Sequence, residues 1–424
     1  MGKVNVLEIV LSNATGVYIA GQLLQGHVNL ELNNNLKLRD IRIQVRGKAF
    51  VHWTEQLMRG PGESRFREIR HHAATEEYIE WTQSVLGRPP DPGAKRELAA
   101  GQYTYPFQFQ LPSNVPTSFE GQYGHLRYWV KVTIERPWNH DQSAKKVFTL
   151  ICPVDLNREP SAASSVQSQK QKRLCCLCCR SGPVSAMMAL GQRGFVPGET
   201  IHFNAEITNL SRRKMACSSV ELQMTVLYHS TTKSRAMTQQ VMKVKRGPIP
   251  AGDSDVWEGE KLVIPPLPPS YLNGCSIINV KYTLELRVDP VGPAFELHVP
   301  LEIIIGTVPL HSAVQRYLAA HQIAPPSPQR HPHSNHSGHA PHAPHAPHAP
   351  HHHHHAVADA QNRQPQYFVP PRYAHYVFGH SRTKDEEDDD NTRSESHYTP
   401  VYVYYTWQPD ELQLRRQQGV RFAA

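Results

Sequence analysis

Two long parts of this chain alternate apolar and polar residues with a period of two. Ile41, Ile43 and Val45 alternate with charged or amide side chains in the first part, and Ile201 and Phe203 do so in the second. A period of two places one set of side chains on the buried face of a strand and the other set in water. Neither part sustains a helical period, and Gly and Pro residues separate the short strands. The pattern therefore predicts an all-β protein built from antiparallel β-sandwiches.

The composition divides the chain into four regions. We predict a first β domain at residues 1–157, a Cys-containing linker at 158–183, a second β domain at 184–310 and a tail at 311–424. Within the first domain, the polar stretch Gly60–Ala100 breaks the alternation and is interpreted as a long surface loop with a short helix at Thr75–Leu86.

The tail has the composition of a disordered segment. It contains Ala-Pro-His repeats, the run His351–His355 and the acidic run Asp385–Asp390. Such a segment cannot bury enough apolar area to offset the loss of chain entropy, so we expect disorder. The aromatic-rich segment Tyr398–Trp407 is a candidate for a short docking element.

Cysteine usage and hydropathy favour a cytoplasmic protein. The seven cysteines are odd in number and clustered, which is unlike a secreted disulfide framework. Met1–Val6 leads into a strand pattern without the apolar core of a signal peptide. Uninterrupted apolar runs such as Ile303–Ile305 are far shorter than the roughly 20 residues of a membrane-spanning helix. We expect the chain to be cytosolic or peripheral to a membrane.

No motif in the sequence carries catalytic chemistry. We find no nucleophile elbow, Walker loop, HExxH or helix-opening GxGxxG, so we predict a protein that is not an enzyme, with no catalytic residue and no cofactor. The histidine run is interpreted as a spacer and not as a metal site, because nothing fixes its ligand geometry. The charge of +8 forms no basic stripe with interleaved aromatic residues, so we predict no nucleic-acid partner. No small-molecule substrate is predicted.

Pro370, Pro371, Arg372 and Tyr373 form a PPxY tetrapeptide, the peptide that WW domains bind. Its prolines favour polyproline II, which packs on paired aromatic side chains at little entropic cost. A second copy, Pro268–Tyr271, lies inside a domain, where we expect its prolines to be fixed by the fold. Thr399–Tyr402 is a degenerate third copy. We predict that the first copy is the WW ligand.

A cysteine cluster, Cys175, Cys176, Cys178 and Cys179, lies in the predicted linker. Four thiolates within five residues cannot easily converge on one zinc ion. S-acylation beside a membrane is chemically simpler, and Lys172 and Arg173 would add attraction to anionic lipid. A structural role in packing between the domains is the remaining alternative.

Several blocks resemble a known family. Those in the first domain are Leu111-Pro112, Ser118-Phe119-Glu120-Gly121, Arg127-Tyr128-Trp129-Val130-Lys131 and Arg136-Pro137-Trp138; those in the second are Pro197-Gly198-Glu199, Ile264-Pro265-Pro266, Cys275-Ser276-Ile277-Ile278 and Gly306-Thr307-Val308-Pro309-Leu310. Together they resemble the two domains of the α-arrestin, or arrestin domain-containing, family over about residues 5–310. The resemblance implies two arrestin-like β-sandwiches in tandem and no catalytic centre.

The resemblance and the WW motif together predict a non-enzymatic adaptor. It would link membrane receptors or transporters to WW-domain HECT-type E3 ubiquitin ligases and promote their ubiquitination, endocytosis and endosomal transport. We expect a cytoplasmic protein, peripheral at the plasma membrane and endosomes. Two alternatives stay open: an arrestin-like trafficking scaffold that needs no ligase, and a thioredoxin-linked regulator acting through a cysteine such as Cys217 or Cys275.

Overall fold

The strands that the alternating pattern predicts form two consecutive β-sandwich domains. The computed structural model describes residues 4–60, 65–87, 96–137, 139–174, 182–293, 295–320, 371–379, 381–382, 392–395 and 397–407. The all-β prediction and the tandem arrangement are confirmed.

The first domain contains the strands β1 Val4–Leu11, β2 Val17–Ile19, β3 Leu23–Leu32, β4 Leu36–Leu38, β5 Asp40–Arg59, β6 Phe66–Ser84, β7 Arg96–Leu98, β8 Gly101–Gln110, β9 Phe119–Gly121, β10 Gly124–Glu135 and β11 Gln142–Ile151. One of its sheets has the order β1-β3-β8, and the larger one has the order β2-β11-β10-β5-β6 with β9 beside β10. Ile41, Ile43 and Val45 of β5 are fully buried, as their alternation predicts.

The second domain contains the strands β12 Val166–Arg173, β13 Pro183–Leu190, β14 Gly194–Phe195, β15 Thr200–Asn209, β16 Met215–His229, β17 Ser234–Arg246, β18 Ser254–Val263, β19 Ile278–Pro290 and β20 Leu297–Ile305. Its two sheets have the orders β12-β13-β15-β18 and β14-β20-β19-β16-β17. The fully buried Trp257 packs on Phe203 between them, with 6.0 Å between the ring centroids.

The two domains repeat a local arrangement of a buried tyrosine and a proline-rich segment. The Tyr128 hydroxyl in β10 donates a hydrogen bond to the Pro116 carbonyl at 2.6 Å. The Tyr282 hydroxyl in β19 donates one to the Pro268 carbonyl at 2.8 Å. Both tyrosines are completely buried, and each hydroxyl satisfies a carbonyl of the proline-rich segment that crosses the end of its sandwich.

Two stretches of the sandwiches differ from the sequence-based expectation. Much of Gly60–Ala100, expected to be a loop with a helix at Thr75–Leu86, is the 19-residue strand β6. The predicted linker 158–183 contains β12, which pairs along its length with β13. Both strands lie at the edge of a sheet and are largely exposed, so their sequences lack the apolar alternation that marks half-buried strands.

Parts of the tail also form regular structure. Helix α1 spans His311–Ala320, and the strands β21 Pro371–His375, β22 Ser381–Arg382, β23 Thr392–Ser394, β24 His397–Tyr398 and β25 Val401–Tyr405 follow it. The described residues between 371 and 407 belong to the same compact unit as the two sandwiches. The expectation of disorder over 311–424 therefore does not apply to these segments, and His351–His355 and Asp385–Asp390 lie outside the described residues. No helix in the described ranges is long and apolar enough to cross a bilayer.

Candidate functional site: the docked tail and its PPxY motif

The described part of the PPxY motif lies in β21, at the surface of the body formed by the two sandwiches. Strand β21 pairs antiparallel with β25, so that Pro371 lies opposite Tyr405 and Tyr373 opposite Val403. The side chains of Pro371, Arg372 and Tyr373 are exposed, with 42% of Tyr373 accessible, and Pro370 lies outside the described residues. The motif therefore presents its side chains while its backbone is held in a strand.

Two tyrosines of β25 hold this strand pair on the body. Tyr402 is 2% exposed, and its hydroxyl donates a hydrogen bond to the Ser118 carbonyl at 2.9 Å. The Tyr405 hydroxyl donates one to the Thr307 carbonyl at 2.7 Å. Because Ser118 belongs to the first domain and Thr307 follows the last strand of the second, β25 is anchored to both domains.

Tyr376 adds a third anchor just beyond the motif. Its backbone N–H donates to the Pro400 carbonyl at 2.9 Å, and its ring packs edge-on against Tyr402 with 5.4 Å between the centroids. Its hydroxyl lies 3.6 Å from the sulfur of Met224 in β16. Burial raises the pKa of Tyr376 above its ordinary value, so the ring remains a neutral, apolar contact near pH 7.

A fourth contact joins the tail to the outer face of the first domain. Tyr398 packs with Trp129 and Val147 in a small apolar cluster, and its hydroxyl hydrogen bonds the Thr149 hydroxyl at 2.9 Å. Strand β23 runs parallel to β11 and pairs with it from Ser143 to Lys145. The predicted docking element at Tyr398–Trp407 is thus confirmed for its described residues, and it extends further upstream than the sequence indicated.

Gly198 shows how closely the tail approaches the second domain. The Tyr405 N–H donates to the Pro197 carbonyl at 3.0 Å, and Gly198 has a φ of +89°. A Cβ atom built on Gly198 would lie 1.9 Å from the Tyr405 carbonyl oxygen. A larger residue at 198 is therefore incompatible with the docked strand, both sterically and because of its backbone conformation.

A buried ion pair lies beside the docked tail. Arg127 in β10 contacts both carboxylate oxygens of Glu120 in β9, at 2.5 Å from Nε and 2.9 Å from the second nitrogen. Both side chains are almost completely buried. Glu120 lines a cavity of about 260 Å³ together with Tyr376, Met224 and Tyr228. A bidentate pair in this position fixes the β9–β10 turn against which the tail packs.

The other two PPxY-like segments are part of the fold. In Pro268–Tyr271, both prolines and Ser270 are buried, and the Ser270 hydroxyl accepts a hydrogen bond from the Ile305 N–H at 2.9 Å. Tyr271 is half-buried and has a φ of +72°. The expectation that this copy is fixed by the fold is confirmed. The degenerate copy at 399–402 ends in the buried anchor Tyr402.

The three described cysteines have thiols whose protonated form is favoured by burial. Cys152, Cys217 and Cys275 are free of disulfides, and burial raises the pKa of each thiol above its ordinary value. The Cys217 thiol also donates to the Asp289 carboxylate at 3.2 Å, which favours the protonated form further. Cys175, Cys176, Cys178 and Cys179 lie outside the described residues. Among the residues that are described, no three His, Cys, Asp or Glu side chains converge as a metal site.

The sequence identified some of these residues but not their arrangement. It singled out Tyr373 and the aromatic Tyr398–Trp407 segment, and it noted Glu120 and Arg127 only as parts of a family-like block. The pairing of β21 with β25 and the role of Tyr376 were missed. Aromatic residues lie on both sides of the acidic run Asp385–Asp390, with Tyr376 before it and Tyr398 and Tyr402 after it. This pattern is the signal that could have indicated two docked strands.

Comparison with known proteins agrees with this architecture. Residues 7–157 match the N-terminal domain of arrestin (or S-antigen), and residues 180–310 match its C-terminal domain. The chain belongs to the α-arrestin family of arrestin domain-containing proteins.

Individual relatives each match almost three quarters of the chain. The chain is 34% identical to human arrestin domain-containing protein 4, over 73% of this chain and 72% of that protein. It is 30% identical to arrestin domain-containing protein 17 of Caenorhabditis elegans, over 73% and 72%. It is 29% identical to human thioredoxin-interacting protein, over 72% and 75%.

Proposed function

We propose that this protein is a non-enzymatic adaptor between membrane cargo and a ubiquitin ligase. The two arrestin domains bind cytoplasmic parts of a receptor or transporter, and Pro370–Tyr373 binds the WW domains of a HECT-type E3 ligase. The ligase then ubiquitinates the cargo or the adaptor and directs it into endocytosis and endosomal transport. The adaptor acts by tethering, since one peptide contact raises the local concentration of ligase at its substrate.

The exposure of Tyr373 is the observation that carries this proposal. Of the three PPxY-like segments, this one presents its described side chains to solvent, whereas the prolines of Pro268–Tyr271 and the ring of Tyr402 are buried. A WW domain needs access to both the proline face and the tyrosine ring. Among these described segments, the Tyr373 segment is the one in which both the described proline and the tyrosine are exposed.

Tyr373→Ala is expected to abolish binding to WW domains, because the tyrosine fills a dedicated pocket of the WW fold. We would measure binding of the full chain to isolated WW domains by pull-down and titration calorimetry. Tyr271→Ala is the matched control, since it removes a PPxY tyrosine of the same type from a folded segment, and binding should persist. Equal affinity of the wild type and Tyr373→Ala would refute ligase recruitment through this motif.

In cells, the Tyr373→Ala variant distinguishes ligase recruitment from scaffolding that needs no ligase. If cargo is sorted normally by Tyr373→Ala, the arrestin domains act as a trafficking scaffold without the ligase. If sorting and cargo ubiquitination are both lost, the adaptor proposal is supported. Proximity labelling with the wild type and the variant side by side would identify the ligase and the cargo.

The thioredoxin-linked alternative is testable through the thiols. One relative is named for interaction with thioredoxin, but the raised pKa values of Cys217 and Cys275 disfavour the thiolate that disulfide exchange requires. Iodoacetamide at pH 7.5 is expected to modify Cys152, Cys217 and Cys275 in the native protein at least about tenfold more slowly than in urea-unfolded protein, read by peptide mass spectrometry. Equal native and unfolded rates at Cys217 or Cys275 would favour the redox alternative.

A further inference from the structure

A cavity lies where three parts of the chain meet. It is the space of about 260 Å³ that Glu120 of the Glu120–Arg127 pair helps to line. Its walls come from β9 and the turn after it in the first domain, from β16 and β17 in the second domain, and from Tyr376, Phe378 and Gly379 of the tail. We call this space the tail cavity. A molecule bound in it would contact both domains and the tail at once.

The inner wall of the tail cavity is apolar and buried. Met224 and Val226 of β16 are 2% and 4% exposed, and the rings of Phe119, Tyr228 and Tyr376 are buried as well. Thioether sulfur and aromatic rings pack favourably on a flat aromatic ligand. Since an apolar cavity of about 150 Å³ is large enough for benzene, the tail cavity has room for a substituted ring.

Two carboxamides lie at the outer part of the tail cavity. Gln122 is exposed and Gln239 is half-buried. Among the residues that the structure describes, neither of these side-chain amides has a hydrogen-bond partner. Each can donate through its nitrogen and accept through its oxygen. Together they suit a ligand group that also does both, such as a primary carboxamide.

The lining of the tail cavity has no net charge. Of the described lining residues Glu120 alone is charged, and both of its carboxylate oxygens contact Arg127. Burial raises the pKa of Tyr228 to about 12 and also raises the pKa of Tyr376, so both phenols are neutral near pH 7. A charged ligand would lose its hydration here without gaining a counterion. The cavity therefore favours a neutral ligand.

We propose that the tail cavity binds a small, neutral aromatic carboxamide, and that this ligand holds the tail in its docked position. The ring of the ligand packs on Met224 and Val226, and its carboxamide hydrogen bonds with Gln122 and Gln239. Because tail residues form one wall of the site, the ligand binds the docked tail in preference to the released tail. By linkage it stabilises the docked state, in which β21 is paired with β25.

This regulation rests on the proposed function, because it controls the access of WW domains to Pro370–Tyr373. Occupation of the tail cavity needs neither ligase nor cargo. If the chain binds the carboxamide in the cavity but binds no WW domain, the adaptor function fails and the ligand site stands. The two proposals can therefore fail separately.

The first test is a titration of the full-length chain with benzamide, followed by saturation-transfer NMR of the ligand. Benzamide should bind saturably with a Kd on the order of 1 mM or lower, which is reachable for a ligand of about nine non-hydrogen atoms. Benzoate has nearly the same shape but carries a negative charge, and it should bind at least about tenfold more weakly.

Two variants locate the benzamide site. Val226→Phe places a ring in the cavity and should lower the affinity for benzamide by at least about tenfold, because the space is then filled. Gln239→Leu keeps a side chain of similar size and should lower the affinity by roughly fivefold, because one hydrogen-bonding amide is lost.

Each variant has a matched control on the same strand. Val220→Phe enlarges a fully buried residue of β16 outside the cavity and should lower the melting temperature by on the order of 5 °C. Val226→Phe should melt within about 2 °C of the wild type, because its ring enters an existing space. Gln240→Leu removes an exposed amide of β17 outside the cavity and should bind benzamide like the wild type.

The second test is the effect of benzamide on binding of an isolated WW domain. A ligand at about nine times its Kd raises the ratio of docked to released tail by about tenfold, so the apparent Kd for the WW domain should rise by up to about tenfold. The same benzamide concentration should leave the WW affinity of Val226→Phe unchanged. By reciprocity, Tyr402→Ala, which removes an anchor of the docked strand, should bind benzamide more weakly than the wild type.

Any of three results would overturn the proposal. The first is the absence of saturable benzamide binding by the wild type. The second is equal benzamide affinity of the wild type, Val226→Phe and Gln239→Leu. The third is saturable binding in the cavity that leaves the WW affinity of the wild type unchanged, since the ligand would then not hold the tail.

Discussion

Replacing Arg127 with methionine is expected to lower the melting temperature by on the order of 10 °C. The variant leaves Glu120 buried without its bidentate cation, and breaking a buried pair in this way costs about 3–5 kcal/mol. Each kcal/mol shifts the melting temperature of a domain of this size by roughly 2–4 °C. Scanning fluorimetry or calorimetry measures the shift. A melting temperature is a safer readout here than an extrapolated free energy, because two domains need not unfold as one.

Two further variants test whether the drop in melting temperature comes from leaving the buried Glu120 carboxylate without Arg127. Arg46→Met removes a partner of the partly exposed Arg46–Glu80 pair and should shift the melting temperature by no more than about 2–4 °C, since pairs near the surface contribute about 0–1 kcal/mol. Glu120→Gln/Arg127→Met should recover at least half of the loss, because no uncompensated charge remains. If Arg127→Met melted like Arg46→Met, the pair would not stabilise the β9–β10 turn.

The sequence predicts the sandwiches well because their strands have one buried and one exposed face. Ile41, Ile43 and Val45, and likewise Ile201 and Phe203, reach the core as their alternation requires. Alternation of apolar and polar residues is a weaker guide to strands at the edge of a sheet, because an edge strand has a neighbouring strand on one side only and is largely exposed. Strand β6 buries Ile79 and packs Ala74, Tyr78 and Trp81 against the core, but most of its other residues are polar and exposed. Its location is set by a long register with β5, in which Arg42 lies opposite Ser84. Pairing of this kind depends on the partner strand and leaves little local signal.

The candidate site is less predictable because it is assembled from distant parts of the chain. The sequence distinguishes Pro370–Tyr373 from Pro268–Tyr271 through their surroundings, and the buried prolines of the second copy agree with that distinction. It places Tyr373 on a free tail, however, and the structure has it in a strand opposite Val403. The acceptor of the Tyr402 hydroxyl is Ser118, which is 284 residues away. No local pattern encodes such a contact.

Tyr402→Ala is expected to release the tail strands from the body while the sandwiches remain folded. Truncation of a fully buried aromatic side chain costs about 3–5 kcal/mol. Because β21 and β25 form a two-stranded sheet of their own, this loss should appear as local opening and not as global unfolding. Hydrogen exchange read by mass spectrometry should show lost protection in peptides covering 371–379 and 397–407. Peptides from β5 and β16 should keep theirs.

Release of the tail should also strengthen binding to WW domains. Polyproline II has no internal hydrogen bonds, so a WW domain can take the motif only after β21 leaves β25. The apparent Kd equals the intrinsic Kd divided by the fraction of molecules in which the strand is undocked. Tyr402→Ala increases that fraction and should therefore lower the apparent Kd by on the order of tenfold. Calorimetric titration of the full-length variant with an isolated WW domain measures the change.

Tyr402→Phe is the matched control for this effect. It keeps the ring in place and removes only the hydrogen bond to the Ser118 carbonyl, a loss of about 1–3 kcal/mol because that buried carbonyl then lacks this donor. Its gains in exchange and in WW affinity should fall between those of the wild type and Tyr402→Ala. Tyr373→Ala/Tyr402→Ala should open the tail without binding. Full opening with unchanged WW affinity would mean that strand pairing does not limit access to the motif, and that the exposed faces of Pro371 and Tyr373 suffice.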